Sequence, residues 1–170
     1  IEQPVGTIAE LQKLKELEIL PIAIDEGVRK NLNQDFSRLN EVADFLILKW
    51  QPTGGFKEAS RISKVAGLPV VISSALESSV GIYQGVLLAS ELSVLPAGLG
   101  TVSLLSGDIT VNPAKVKSGK IKYEKPILDL DLINKFQASG QRVTWWEDRV
   151  SRIWENYLLP NKDEYGWDFL

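Results

Sequence analysis

Phe45-Leu46-Ile47-Leu48-Lys49 is a run of large apolar residues closed by a lysine. A strand with one wet face alternates apolar and polar residues, whereas a strand buried on both faces reads as a continuous apolar run. The stretch is of the second kind, and it has two counterparts. Upstream, residues 19–25 (ILPIAID) run apolar until they end on Asp25, with Glu26 next; downstream, residues 70–74 (VVISS) end on two serines.

Helical spacing fills the intervals. Ile8, Leu11, Leu14 and Leu17 recur at every third position before the first run. Leu39, Val42 and Ala43 mark a second helix, and Phe56, Ala59, Ile62 and Val65 a third. Gly67-Leu68-Pro69 stops the third helix at a C′ glycine and launches the next strand. A fourth helix is expected over residues 77–92, apolar on a broad face and packed outside the sheet. This β-α-β-α rhythm means a parallel sheet with right-handed crossovers. Three successive strands carry polar residues at their carboxyl ends: Asp25 with Glu26, Lys49, and Ser73 with Ser74. Barrel active sites are assembled at that face, one or two residues per strand. No strand is followed by Gly-x-Gly-x-x-Gly; Gly98-Leu99-Gly100 lacks the third glycine, and no phosphate loop ends in Gly-Lys-Ser or Gly-Lys-Thr.

The rhythm fails after Leu105. Residues 106–128 contain Gly107, Pro113, Gly119 and Pro126 and predict a short antiparallel excursion. Lys115, Lys117, Lys120, Lys122 and Lys125 read as a solvated turn between two extended pieces, in preference to an anion-binding patch. A last amphipathic helix places Val143, Trp146, Val150, Ile153, Trp154 and Tyr157 on one face. Its other face mixes charges of both signs, which predicts core packing and not membrane binding. The expected organisation is therefore a barrel part over 1–105 and a carboxyl-terminal extension over 106–170.

Composition narrows the chemistry. The chain has 170 residues, 44% hydrophobic and 24% charged, as a soluble globular domain does. No apolar run approaches the roughly 20 residues of a membrane span, and nothing at the start reads as a signal peptide. A net charge of −3 gives no general attraction to nucleic acid or anionic lipid. Cysteine and histidine are both absent, which removes disulfides, thiolate and Ser-His-Asp chemistry and nearly every zinc site. A metal must then be a hard cation held by carboxylates, and acid–base work falls to Asp, Glu, Lys or Tyr. Lack of cysteine fits a reducing, cytoplasmic setting. The chain starts at Ile1, without an initiator methionine, on what reads as a strand end; it is expected to be part of something longer.

Each candidate site residue has two readings. Asp25-Glu26 is either a solvated strand end in which Asp25 caps the next turn, or a carboxylate pair delivered to a barrel mouth. Lys49 either snorkels to water or points into that mouth, where burial and neighbouring charge tune it. Ser74 and Glu77 have the spacing of a capping box, which leaves Ser73 free to face the mouth. A helix amino terminus there offers N–H groups to an anionic substrate group. Gly54-Gly55 either does the same or is a plain turn.

Taken in order, Ile1-Glu2-Gln3-Pro4, Ile24-Asp25-Glu26, Leu48-Lys49 with Gly54-Gly55, and Ser73-Ser74-Ala75-Leu76-Glu77-Ser78-Ser79-Val80-Gly81 resemble the o-succinylbenzoate synthases of the enolase superfamily. The likeness covers residues 1 to about 105 closely, and the tail more loosely resembles the actinobacterial branch. It implies the carboxyl-terminal part of an α/β (β/α)7β barrel whose last segment returns towards a capping domain. It implies Mg²⁺ held by three carboxylates, the second matching Glu2 and the third Asp25. Lys49 matches the lysine that faces the reacting carbon, Glu26 an acid that orients it, and Ser73 a position holding the succinyl carboxylate. The first carboxylate and the Lys-x-Lys base of the family would lie before residue 1, so an amino-terminal half of the same enzyme is the expected partner. Trp50 stands where proline is common in relatives, and Gly100 replaces a frequent acid. The implied reaction is syn-dehydration of 2-succinyl-6-hydroxy-2,4-cyclohexadiene-1-carboxylate to o-succinylbenzoate, towards menaquinone. N-succinylamino acid racemisation on the same scaffold, and an inactive half-barrel needing its amino-terminal part, are the alternatives.

Overall fold

The structure, a computed structural model, describes residues 1–30 and 35–160. It divides into two compact units, Ile1–Leu132 and Ile133–Leu170.

The first unit is built on three strands, β1 (Ala23–Ile24), β2 (Phe45–Lys49) and β3 (Val70–Ser73), in the spatial order β1-β2-β3. All pair parallel, with Ala23 opposite Phe45, Leu46 opposite Val70 and Lys49 opposite Ser73. Single parallel bridges continue the sheet: Glu2 with Ala23 on one side, and Val70 with Ser93 and Ser73 with Gly98 on the other. The continuous apolar run has its predicted cause, for Leu46, Ile47 and Leu48 at the centre of β2 are all buried.

Helices supply the cover. α1 (Ile8–Glu16) buries Leu11 and opens with a capping box, Glu10 N–H donating to Thr7 Oγ1 while Thr7 N–H donates to the Glu10 carboxylate. Such a cap is worth about 1 kcal/mol. A short α2 (Glu26–Lys30) follows β1, and α3 (Trp50–Thr53) follows β2 directly. α4 (Phe56–Ala66) buries Ala59, Ile62 and Ala66, and ends where Gly67 takes φ 61°, as the C′ glycine predicted. α5 (Ser79–Leu92) buries Ile82, Gly85 and Leu88 behind β3.

Three expectations need correction. The run over 19–25 contributes only Ala23 and Ile24 to the sheet; Ile19 and Leu20 are exposed. Glu18 takes φ 51° and turns the chain, and the Ile22 N–H donates to the Asp44 carboxylate, so pairing begins only after it. The helix marked by Leu39, Val42 and Ala43 is a 3-10 segment, Phe36–Glu41, capped by Asp35. The fourth helix begins at Ser79, not at residue 77, and the Ser74–Glu77 capping box does not form.

Residues 106–128 make the antiparallel excursion. β4 (Val116–Lys117) and β5 (Lys120–Ile121) form a hairpin whose turn residues, Ser118 and Gly119, take φ of 49° and 73°. Positive φ at both turn positions matches the twist of a tight hairpin. A bridge between Thr110 and Leu128 closes its base. This segment, assigned from sequence to the extension, packs within the first unit.

α6 (Leu130–Lys135) crosses the division, and the second unit is dominated by α7 (Gly140–Ile153), continued by a π-helical turn, Trp154–Leu158. Its Trp145 and Trp146 rings meet edge-on at 4.7 Å, and Arg142 and Arg149 lie over Trp145. On the face expected to be core, Val150 is 61% exposed and Trp146 52% among the described residues. Among the described residues no helix is long and apolar enough to cross a membrane.

Candidate functional site

Asp25 directly follows β1, and its carboxylate is buried at 2% exposure. A buried carboxylate demands compensation, and Lys49 at the end of β2 provides it through a short ion pair to Oδ2. The other oxygen, Oδ1, is buried with no hydrogen-bond partner among the described residues. Glu26 lies 3.6 Å from the same ammonium. Burial pushes the Glu26 carboxyl up, but its own backbone N–H, then Lys49 and Arg29, outweigh it and hold the group below the ordinary glutamate value. Lys49 thus stands between two acids, not out in water as a snorkelling side chain would.

Gln3 ties this corner to the first residues of the chain. Its Oε1 accepts from the N–H of Asp25 at 3.0 Å and of Gly27 at 3.1 Å, while its Nε2 donates to Val5 at 2.8 Å. The residue holds φ 35°, an unusual value for glutamine. Gly27 is required by space: a Cβ there would lie 2.8 Å from Ile24 Cδ1 and 3.3 Å from Gln3 Oε1. Glu2, exposed beside Gln3, enters the sheet by its bridge to Ala23. Sequence reasoning gave Gln3 no role, although it stands in the Ile1-Glu2-Gln3-Pro4 stretch; the glycine after Asp25-Glu26 is the signal that something approaches closely.

Ser73 neighbours Lys49 in register across β2 and β3. Its hydroxyl donates to Gly98 O at 3.2 Å. Ser74, proposed from sequence as a helix cap, donates to the same carbonyl at 3.1 Å and accepts from Thr101. Glu77 has left the helix terminus altogether. It is buried, accepts from the Trp50 indole N–H at 3.2 Å and from the Ala75 N–H at 3.2 Å, and Gly81 makes room for it. A Cβ on Gly81 would stand 2.8 Å from Glu77 Cβ.

Two anion-binding expectations change. The N–H groups of Gly54 and Gly55 donate to Gln51 O and Trp50 O, closing α3 with φ of 113° and 93°. They form a turn and are not offered to a ligand. At the amino terminus of α5, the Ser79 N–H donates to Asp108 Oδ2 at 3.0 Å, and the Ser79 hydroxyl donates to the same oxygen. The chain's own carboxylate thus takes the place foreseen for a substrate group.

Mg²⁺ suits the donor set in part. The donors are hard oxygens, as that ion requires, and the buried Asp25 Oδ1 has no hydrogen-bond partner among the described residues. Among the described residues no three carboxylates converge.

Comparison with known proteins places the geometry. No family model matches the chain. It is 44% identical over 115 residues to the o-succinylbenzoate synthase of Thermobifida fusca, covering 66% of this chain and 36% of that protein. It is 36% identical over 163 residues to the o-succinylbenzoate synthase of Mycobacterium tuberculosis, covering 95% and 49%. The chain therefore spans about half the length of the curated relatives it matches. A probable mandelate racemase of Alicyclobacillus acidocaldarius superposes with a TM-score of 0.69 at 27% identity, over 82% of this chain and 41% of that one. An enolase-superfamily protein of Listeria innocua shares the fold with a TM-score of 0.68 at 24% identity, over 82% and 41%. Parallel strands bearing Asp25 and Lys49 at their carboxyl ends are thus part of an α/β barrel fold, and the chain is similar to the o-succinylbenzoate synthases over about half of their length.

Proposed function

We propose that this chain supplies the Asp25–Lys49 half of an enzyme that dehydrates 2-succinyl-6-hydroxy-2,4-cyclohexadiene-1-carboxylate to o-succinylbenzoate, in the cytoplasmic synthesis of menaquinone. The observation that carries the reading is the Asp25 carboxylate, buried, bound by Lys49 through one oxygen and unpartnered at the other. Relatives named o-succinylbenzoate synthase at 36% and 44% identity support the choice of reaction.

Glu2 and Asp25 would hold Mg²⁺. A bound Mg²⁺ supplies Lewis-acid stabilisation of charge that develops on a substrate carboxylate. The ring loses the proton α to its carboxylate and the 6-hydroxyl group, together one water, and becomes aromatic. In the family the proton-abstracting lysine belongs to a part of the relatives that this chain does not match, so that base and the third carboxylate come from the corresponding half.

Lys49 brings its ammonium to the face opposite that base, and adds electrostatic stabilisation where negative charge develops. Glu26, held ionised, orients the ammonium from 3.6 Å. Gln3 fixes the backbone that carries Asp25. Ser73 sits beside Lys49 to donate to the succinyl carboxylate.

The test is loss of the substrate's ultraviolet absorbance with and without Mg²⁺, on the chain together with its matching half. Metal-dependent turnover that vanishes in Lys49→Ala, with circular dichroism retained in Mg²⁺, is the expected result. Near-normal turnover in that variant sinks the role of Lys49.

A further inference from the structure

Four lysines, Lys115, Lys117, Lys120 and Lys122, line one cleft of about 460 Å³ between α5 and the β4–β5 hairpin. It shares no residue with the Asp25–Lys49 corner. Its volume falls within the roughly 300–1,000 Å³ typical of small-molecule sites.

The walls are chemically divided. On one side Ile82 and Val86 of α5 present an apolar surface. Tyr83 and Tyr123 stack at 5.3 Å between centroids with 23° between planes, and their hydroxyls meet at 3.1 Å. On the other side stand the lysines. Lys122 pairs with Glu124 at 2.9 Å, and among the described residues no ion-pair partner is found for Lys115, Lys117 or Lys120. Four ammonium groups thus face one carboxylate, in a chain whose net charge is −3. Like charges gathered along a cleft concentrate an opposite counter-ion.

The arrangement is also held in place. The Ala114 N–H, just before the hairpin, donates to the buried Ser79 Oγ at 2.7 Å, which joins the lysine strand to the start of α5. The tight turn at Ser118-Gly119 then sets Lys117 opposite Lys120 in register. A solvated turn explains the composition of this segment, but it explains neither the cavity nor the paired rings.

We propose that this cleft binds an organic polyanion with a ring body: the ring packs on Ile82, Val86 and the tyrosines, and two or more anionic groups meet the lysines. Phosphorylated and carboxylated rings share this chemistry. The site is separate from the dehydration chemistry proposed above and stands or falls without it.

The probe is the fluorescent ring trianion 8-hydroxypyrene-1,3,6-trisulfonate, titrated with the protein at fixed ionic strength and followed by anisotropy. The expected result is saturable one-to-one binding, weakened roughly five- to tenfold in K117Q/K120Q, since each exposed charge contributes modestly. K57Q/K64Q, which removes two lysines of α4, should leave it unchanged, and circular dichroism checks that both variants fold. Tripolyphosphate, charged but without a ring, should displace the dye at least about tenfold less well than benzenehexacarboxylate does. Failure to saturate below about 1 mM, or equal weakening by the two lysine pairs, overturns the site. Equal displacement by the two competitors overturns the role of the ring.

Discussion

Asp25 and Lys49 are opposite charges closed against each other at the ends of neighbouring strands, whereas Lys115, Lys117, Lys120 and Lys122 are like charges spread along a hairpin in water. The first pair is inseparable from the fold, because a carboxylate taken out of water must be answered by a charge or a cation. The second group is nearly free of the fold, because water answers it already. The difference teaches that in this molecule the depth of a charge, and not the number of charges, decides whether losing it unfolds the chain.

The largest break in that contrast comes from K49A. It leaves the Asp25 carboxylate buried without its counter-charge, and about 3 kcal/mol of stability should be lost in metal-free buffer, measured by urea unfolding. Mg²⁺ should restore part of that loss, more than it adds to the unaltered protein; indifference to the metal would argue against Asp25 as a ligand.

Next comes G27A, which alters no charge and still strikes the same corner. The added methyl meets Ile24 Cδ1 at 2.8 Å, so a loss of about 2 kcal/mol is expected from overpacking. Unchanged stability would mean that the Gln3 clasp yields readily.

E77A is smaller, at about 1–2 kcal/mol, because it strands the Trp50 indole and the Ala75 N–H. E77Q, which keeps an acceptor, should recover most of it, and a shift in tryptophan fluorescence reports whether Trp50 has been released.

A smaller effect still sharpens the comparison with a half-exposed pair. Asp44 is held below the ordinary aspartate value by its bond from Lys15 and then by the Ile22 N–H. A lowered carboxyl contributes stability above the unfolded value, near pH 4, and loses it as pH falls further. D44N should therefore cost under about 1 kcal/mol at pH 7 and flatten the acid limb of the stability profile below about pH 4. A cost that grows as the pH drops would reverse the sign and refute the assignment. K117Q/K120Q should leave stability within about 0.5 kcal/mol, as surface changes do.

How much of this was legible depends on how local each cause is. β2 could be read because burial on both faces is written in its own residues, and α4 because Gly67 ends it. Residues 19–25 misled because the turn at Glu18 and the reach of Asp44 to Ile22 come from outside the run. The Ser74–Glu77 spacing misled for the same reason: Trp50, 27 positions away, takes the carboxylate that the box would have used. The polar residues at the strand ends were visible as candidates. That Asp25 would close on Lys49, 24 positions on, follows only from parallel pairing, which brings the ends of β1 and β2 to one edge. Gln3 stood in a quoted stretch, but nothing local told that its side chain would reach the N–H groups of Asp25 and Gly27. The exposure of Val150 on α7 could not be foreseen either, since amphipathic spacing states that a face seeks cover and not where the cover lies.

Ser79 holds Asp108 through its N–H and its hydroxyl, and Ala114 through its oxygen, across 29 and 35 positions of sequence. Three bonds meeting on one residue make the first turn of α5 and the root of the hairpin a single kinetic unit. Neither can loosen alone, so the amides of the two segments exchange with solvent on one clock, and the rhythm at which the lysine cleft breathes is that of a fraying helix end.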